Sequence, residues 1–516
     1  MKSKGIVYLV GAGPGDAGLL TLRGAEVLGR ADVVVYDALV NTELLRHAPP
    51  TAECVLGGRR AHGLRVPQEE IIRLLIDRAV AGKTVVRLKG GDPYVFGRGG
   101  EEAEALAAAG VPFEVVPGVS SFAAVPSYAG IPLTHRDFNS ALTILTGHAD
   151  PESAECRINW AAEARSPGTK VVMMSTEHIG RVAAVLRQHG MAADMPVAMI
   201  SCGTTGRQRT IEGTLATIAD LAARADLEPP SITVIGEVVR LRQHLNWFEH
   251  LPLFGHRIVV TRARAQAPEL VDRLTRLGAE VLQIPCIRTA PPEDLHPLKE
   301  AMLGLHEYDW LVFTSANGVN CFFDYFDKGF ADARDIGGVR LAAVGPATAA
   351  ALRARRLAVN VMPKLSTGIE VAKAMAADGD VENLRVCLLR AETANPDLPR
   401  LLEEKGAIVD DIPVYRAVAE SAEPTVDSES LIAKGADWIT FTSGSTVEHF
   451  HARFELPSLL GRFPNLKLAS IGPETTKAIT ALNLTPSLEA KEQTMDGLVS
   501  ALEKACGKAR KAPGRS

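Results

Sequence analysis

No two of the seven cysteines stand as a Cys-x-x-Cys pair, and they are odd in number and scattered from Cys54 to Cys506. That distribution argues against a disulfide framework or a structural zinc site, and no metal is expected. Aromatic residues make up only 5% of the chain, too few for a surface that stacks the bases of single-stranded nucleic acid. Neither sign of charge dominates: 56 Lys and Arg stand against 61 Asp and Glu, a net charge of -5. A general nucleic-acid or anionic-membrane binder is therefore not expected, and any anionic ligand must be held by a local pocket. No apolar run approaches the roughly 18 residues that a membrane span needs. The short run at 6–10 meets a glycine loop at once, so it reads as a buried strand rather than a signal peptide. A reducing cytoplasm is the expected location.

What the chain does have is alternation. Strand-like runs at 6–10, 33–36, 84–88, 170–174, 196–200 and 232–239 alternate with helical ones such as 19–28, the pattern of α/β layering. The sequence WFEHLPLFG at 247–255 interrupts it and a new strand opens at 256–261, so domains are expected at 1–250 and 255–503. Inside the second an internal repeat recurs at a shift of about 127 to 128 residues. FTSANGVNCF from Phe313 answers FTSGSTVEHF from Phe441, and AVGPATAAAL from Ala343 answers SIGPETTKAI from Ser470. Two similar α/β lobes are predicted, one from 255–286 plus 417–503 and the other from 287–416. Extended segments at Pro285 and Pro413 are the expected crossings, and the cleft between the lobes is the expected ligand site. The end, 504–516, reads as a basic disordered tail.

The loop Gly11-Ala12-Gly13-Pro14-Gly15-Asp16 follows a strand and precedes a helix, yet Asp16 stands where a dinucleotide fingerprint needs glycine. Gly90, Gly91 and Asp92 lie at the carboxyl end of another strand, where open α/β sheets collect ligands. Glycine there lets backbone approach a ligand closely, and Asp92 can accept hydrogen bonds from a ribose or an amine. Arg98 stands among glycines just before a helix that begins with Glu101 and Glu102, acids that suit the positive end of the helix dipole.

Taken together, VGAGPGDAGLLTLRGAEVLGRADVVVYDALV, GGDPYVFGRGGEE, VPGVSS, AGIPLTHRD, TGH and GEVV resemble the uroporphyrinogen-III C-methyltransferases of the tetrapyrrole methylase family over about residues 4 to 245. The resemblance implies two α/β lobes with S-adenosylmethionine held in the cleft between them, usually in a homodimer. By motif, donor contacts fall on Pro14, Gly90, Gly91, Asp92, Val95, Ser120 and Ser121, with Met174 and Gly203 from later segments. Asp37, closing the strand-like DVVVYD, matches the proton acceptor; on local grounds it could equally be a cap or loop residue. Arg98, Arg136 and Arg59 are the expected anchors for a substrate rich in carboxylates, with Glu101 orienting Arg98. Where many members carry Gly-Lys-Arg this chain has Gly58-Arg59-Arg60, so Arg59 suits charge pairing rather than proton donation.

The second half, about 256 to 502, resembles uroporphyrinogen-III synthase. That resemblance implies a two-lobed protein that closes linear hydroxymethylbilane with inversion of its last ring and without a cofactor. Ser315, Thr348, Ser443 and Thr475, at the turns repeated in both lobes, are the expected substrate contacts, although a plain helix-cap role explains each hydroxyl locally. Tyr415, in IPVYRA, matches the tyrosine expected to assist departure of hydroxide. The expectation is thus a two-part enzyme making precorrin-2. The rivals are methylation of RNA or protein by the same fold, and a regulator that binds a tetrapyrrole without turning it over.

Overall fold

Runs such as IVYLVG and VVVY are apolar on both alternating faces, so the sheets they form must be covered on both sides. The computed structural model describes residues 4–57, 66–365, 367–421 and 423–510. Its strands are β1 (Ile6–Gly11), β2 (Val33–Tyr36), β3 (Glu53–Leu56), β4 (Thr84–Lys89), β5 (Phe113–Val116), β6 (Leu142–Thr146), β7 (Thr169–Met173), β8 (Pro196–Ser201), β9 (Arg209–Thr214) and β10 (Ser231–Ile235). The series continues with β11 (Arg257–Val260), β12 (Glu280–Gln283), β13 (Ile287–Ala290), β14 (Trp310–Phe313), β15 (Arg340–Ala343), β16 (Arg385–Ala391), β17 (Ile408–Ala419), β18 (Trp438–Phe441), β19 (Lys467–Ser470) and β20 (Leu488–Glu489). The chain divides into two compact units, Met1–His256 with Thr275–Glu280, and Arg257–Leu274 with Val281–Ser516.

The amino-terminal unit holds two five-stranded sheets. The first, in the order β3-β2-β4-β1-β5, is parallel throughout. Val7, Leu9, Val33, Val35 and Val85 pack on one face against the helices Gln68–Val80 and Gly99–Ala108, while Val10, Val34, Val86 and Leu88 pack on the other. The second sheet, β6-β7-β10-β8-β9, is mixed. The strand expected over 232–239 ends at Ile235, because Gly236 takes a φ of 150° and a 3-10 turn follows at Glu237–Leu241.

The carboxyl-terminal unit repeats one pattern twice. One sheet runs β12-β11-β18-β19-β20 and the other β13-β17-β16-β14-β15. β14 and β18 are each followed by a serine that caps a helix, Ser315 accepting from Gly318 N and Ser443 from Thr446 N. The local cap reading of both serines is therefore correct. β15 and β19 each lead into a helix opening on proline, Pro346–Ala354 and Pro473–Ala481. The crossing segments pair antiparallel, Ile287 opposite Ala419 and Ala290 opposite Arg416.

The tail requires a correction. The helix Met495–Arg510 carries on through the first half of the segment expected to be disordered. Leu498, Leu502 and Cys506 recur every four residues and are buried, so the apolar stripe extends past the point where the basic composition begins. The remaining tail residues, 511–516, lie outside the described ones.

Candidate functional site

Three turns meet at the carboxyl end of the parallel sheet. After β1, Ala12 N donates to Lys89 O at 2.8 Å, and Gly13 and Gly91 exchange both backbone hydrogen bonds, at 3.2 and 2.8 Å. Backbones approach so closely that a Cβ on Gly11 would stand 2.4 Å from Gly118 Cα. Only glycine allows that convergence, and Gly91 also needs its φ of 68°. Asp92 ties the second turn to the third: its two oxygens accept from Tyr94 N at 2.8 Å and Gly118 N at 3.0 Å. Its carboxylate thus shapes the loop, a role that sequence reading had not assigned to it.

The other expected donor contacts surround this convergence or come from the second lobe. Pro14, Gly90, Val95 and Ser121 are half-buried, and Ser120, buried, is the N-cap of the helix Ser121–Tyr128 without a side-chain cap bond. Met174 is exposed with a φ of 56°. Gly203 is buried against Val125, and its neighbour Thr204 accepts from Asp16 N at 3.1 Å, so the first loop is tied to the segment after β8. Tyr128 donates to Asp16 at 2.6 Å from the helix between the two sheets.

Beside the loops lies an ionic cluster that sequence reading missed. Strand period places Val85, Arg87 and Lys89 on one face of β4, the face covered by the helix Gly99–Ala108. Arg87 and Lys89 are 2% and 3% exposed, and the facing Glu102 is fully buried. Glu102 Oε1 accepts from Arg87 Nε and from Lys89 Nζ, both at 3.0 Å, and from Gln68 at 2.9 Å. Arg87 Nη2 reaches Asp37 at 2.5 Å, and Lys89 Nζ stands 4.0 Å from the other Asp37 oxygen. Asp37 is therefore joined to a guanidinium and is not a helix cap; Asn41 caps the turn that follows. The helix-dipole account of Glu102 is incomplete, since its carboxylate neutralises buried cations. Burial opposes the charge of Arg87, but Asp37 and Glu102 outweigh it and hold its pKa up. For Lys89, burial and the adjacent Arg87 prevail and push the pKa down. The available signal was two charges at alternate positions of an otherwise apolar strand.

Arg98 is exposed, in left-handed conformation at φ 58°, and grips Glu101 with Nε at 2.9 Å and Nη2 at 2.7 Å. That bond raises its pKa. Arg136 is exposed, and Arg59 lies outside the described residues. In the carboxyl-terminal unit, Ser315 Oγ lies 3.1 Å from the Tyr415 hydroxyl. Burial raises the pKa of Tyr415 despite opposing bonds with Ser315 and Asn317, so the phenol stays protonated. Thr348 and Thr475, 4% and 3% exposed, stand in the first turn of the helices Pro346–Ala354 and Pro473–Ala481. No cluster of three or more His, Cys, Asp or Glu placed to hold a metal occurs among the described residues. Nor is any helix among them long and apolar enough to cross a membrane.

A family model described as tetrapyrrole (corrin/porphyrin) methylases matches residues 6–219, and one described as uroporphyrinogen-III synthase HemD matches 268–500. The chain is 38% identical over 499 residues to the porphyrin biosynthesis protein HemD of Ruminiclostridium josui, spanning 96% of this chain and 97% of that one. It is 50% identical over 241 residues, 47% of this chain and 94% of the relative, to the S-adenosyl-L-methionine-dependent uroporphyrinogen III methyltransferase of Methanosarcina barkeri. Among solved structures, the uroporphyrin-III C-methyl transferase of Thermus thermophilus complexed with S-adenosyl homocysteine is 40% identical, with a TM-score of 0.40 over 46% of this chain and 100% of that one.

Proposed function

Because the chain belongs to the family that joins a tetrapyrrole methylase to a uroporphyrinogen-III synthase, we propose that its carboxyl-terminal unit closes hydroxymethylbilane to uroporphyrinogen III and its amino-terminal unit methylates that product twice, giving precorrin-2. The observation that carries the first-unit reading is the convergence of the three glycine turns beside Asp37 and its buried cations. S-adenosylmethionine fits there: a Cβ on Gly90 would meet only Leu39, at 3.7 Å, so the backbone is open to a ligand. Pro14, Gly90, Gly91, Asp92, Val95, Ser120, Ser121, Met174 and Gly203 are the residues that would hold it. When bound, it supplies a methyl group on a sulfonium centre, and alignment of an electron-rich pyrrole carbon accounts for most of the rate. Asp37 takes the proton that the methylated carbon releases. Arg98 and Arg136 hold substrate carboxylates, and Glu101 fixes the Arg98 fork.

In the second unit Tyr415, protonated and half-buried beside Ser315, donates toward the departing hydroxyl. The amino-terminal unit is taken to pair with a second copy, as the resemblance implies. The test is to supply the protein with hydroxymethylbilane and S-adenosylmethionine and to follow ring closure, isomer identity and methylated fluorescent products. Both activities are expected in one preparation. Tetrapyrrole binding without turnover would identify a sensor, and methylated RNA or protein in place of methylated tetrapyrrole would overturn the substrate assignment.

A further inference from the structure

Among the described residues, the buried arginines come with carboxylates. Arg87 has Asp37 and Glu102, Arg242 has Glu212 and Glu249, and Arg390 has Asp411. Arg262, half-buried, has no such partner among the described residues. It follows β11 at the carboxyl edge of its sheet, next to Thr261, which is buried and bonded to Thr440 O at 2.9 Å. Its Nε donates to Gln266 at 3.1 Å, and Nη1 has only the Met495 thioether sulfur at 3.1 Å, a weak acceptor. Among the described residues no carboxylate forms an ion pair with it. Burial lowers its pKa, and Glu269 offsets this only in part and without contact. A half-buried guanidinium with no carboxylate beside it can offer its free fork to an anionic group.

Its position says what completes it. Gln266 passes the contact on to Asn317 of the other lobe, and Asn317 and Ser315 both bond to the Tyr415 hydroxyl. One chain of side chains therefore leads from Arg262 to the residue proposed to assist ring closure. Because Arg262 is only half-buried, its guanidinium can be reached by a small group.

We propose that Arg262 binds a carboxylate of the linear tetrapyrrole, an acetate or propionate arm, and so sets the position of the chain relative to Tyr415. This rests on the synthase reading of the unit. The experiment measures steady-state closure of hydroxymethylbilane by the full chain carrying Arg262→Gln or Arg262→Lys, with thermal unfolding in parallel. The loss of one charge-assisted contact is expected to raise KM about 10- to 100-fold in Arg262→Gln while kcat stays within about threefold and the unfolding midpoint does not fall. Arg262→Lys, which keeps the charge but loses the fork, is expected to fall between wild type and Arg262→Gln. The KM of wild type should also rise more steeply with salt than that of Arg262→Gln. An unchanged KM in both variants overturns the proposal, as does a loss of kcat alone. If Arg262→Gln does not fold, Arg262→Lys decides: a folded variant with wild-type KM and salt dependence overturns it. If wild type itself closes no ring, the synthase reading fails first, and the proposal goes with it.

Discussion

Asp37 holds one oxygen against a guanidinium that is 2% exposed, and that guanidinium is in turn held by a carboxylate with no exposure at all. The arrangement keeps the proposed proton acceptor in one orientation at the mouth of the turns. Asp37→Asn is therefore expected to slow methylation by about 100- to 10,000-fold while ring closure continues at the wild-type rate, measured separately on the same preparation. Loss of both activities would show that the residue serves the fold rather than the chemistry. Glu102 acts on the cluster rather than on a ligand. Glu102→Leu leaves Arg87 and Lys89 buried with one carboxylate fewer, and is expected to destabilise the protein by about 3–5 kcal/mol in urea unfolding. Motif matching on the sequence reached Asp37, Arg98 and Glu101. It did not reach Arg87, Lys89 or Glu102, because a strand and a helix must be docked before their charges can meet.

Between elements, the amino-terminal unit is tied by a polar chain that no local pattern foretells. Thr204 N donates to Gln208, Gln208 to Glu249 at 3.0 Å, and Arg242 to Glu249 at 2.6 Å and to Ala129 O at 2.6 Å. Burial works against the Glu249 carboxylate, but bonds from Arg242, Gln208 and Thr210 outweigh it and hold its pKa below the ordinary 4.5. A carboxyl whose folded pKa lies below its unfolded one adds stability above the unfolded value and loses it as pH falls through the folded one. Wild type is thus expected to lose stability below pH 4.5 more steeply than Glu249→Gln. Parallel acid titrations of denaturant midpoints check it, and equal slopes would assign the acid sensitivity elsewhere. At this scale the sequence reading was strongest where one residue type decides the conformation. The Ser315 and Ser443 caps and the proline-led helices after Gly345 and Gly472 were visible in the repeated motifs. It was weakest where a composition shift was read as a change of state, as in the basic tail that proves helical to Arg510.

For the whole molecule, the expectation is two separable machines. Coexpressing 1–250 and 251–516 as separate chains should give two folded fragments, the first methylating uroporphyrinogen III and the second closing hydroxymethylbilane. Insolubility of both would show that the segment around the cut belongs to one shared core. The α/β class, the interruption near Trp247, the internal repeat and the glycine turns were determined by the sequence alone, since each follows from a periodicity or from the steric freedom of one residue type. Tertiary structure alone decided which charges are buried together. Asp37, Arg87 and Glu102 come from two strands and a helix, and Arg262 comes near Tyr415 only when two lobes assembled from interleaved segments close on each other. Ion pairing depends on distance and desolvation, and neither exists until strand order and helix docking have set them.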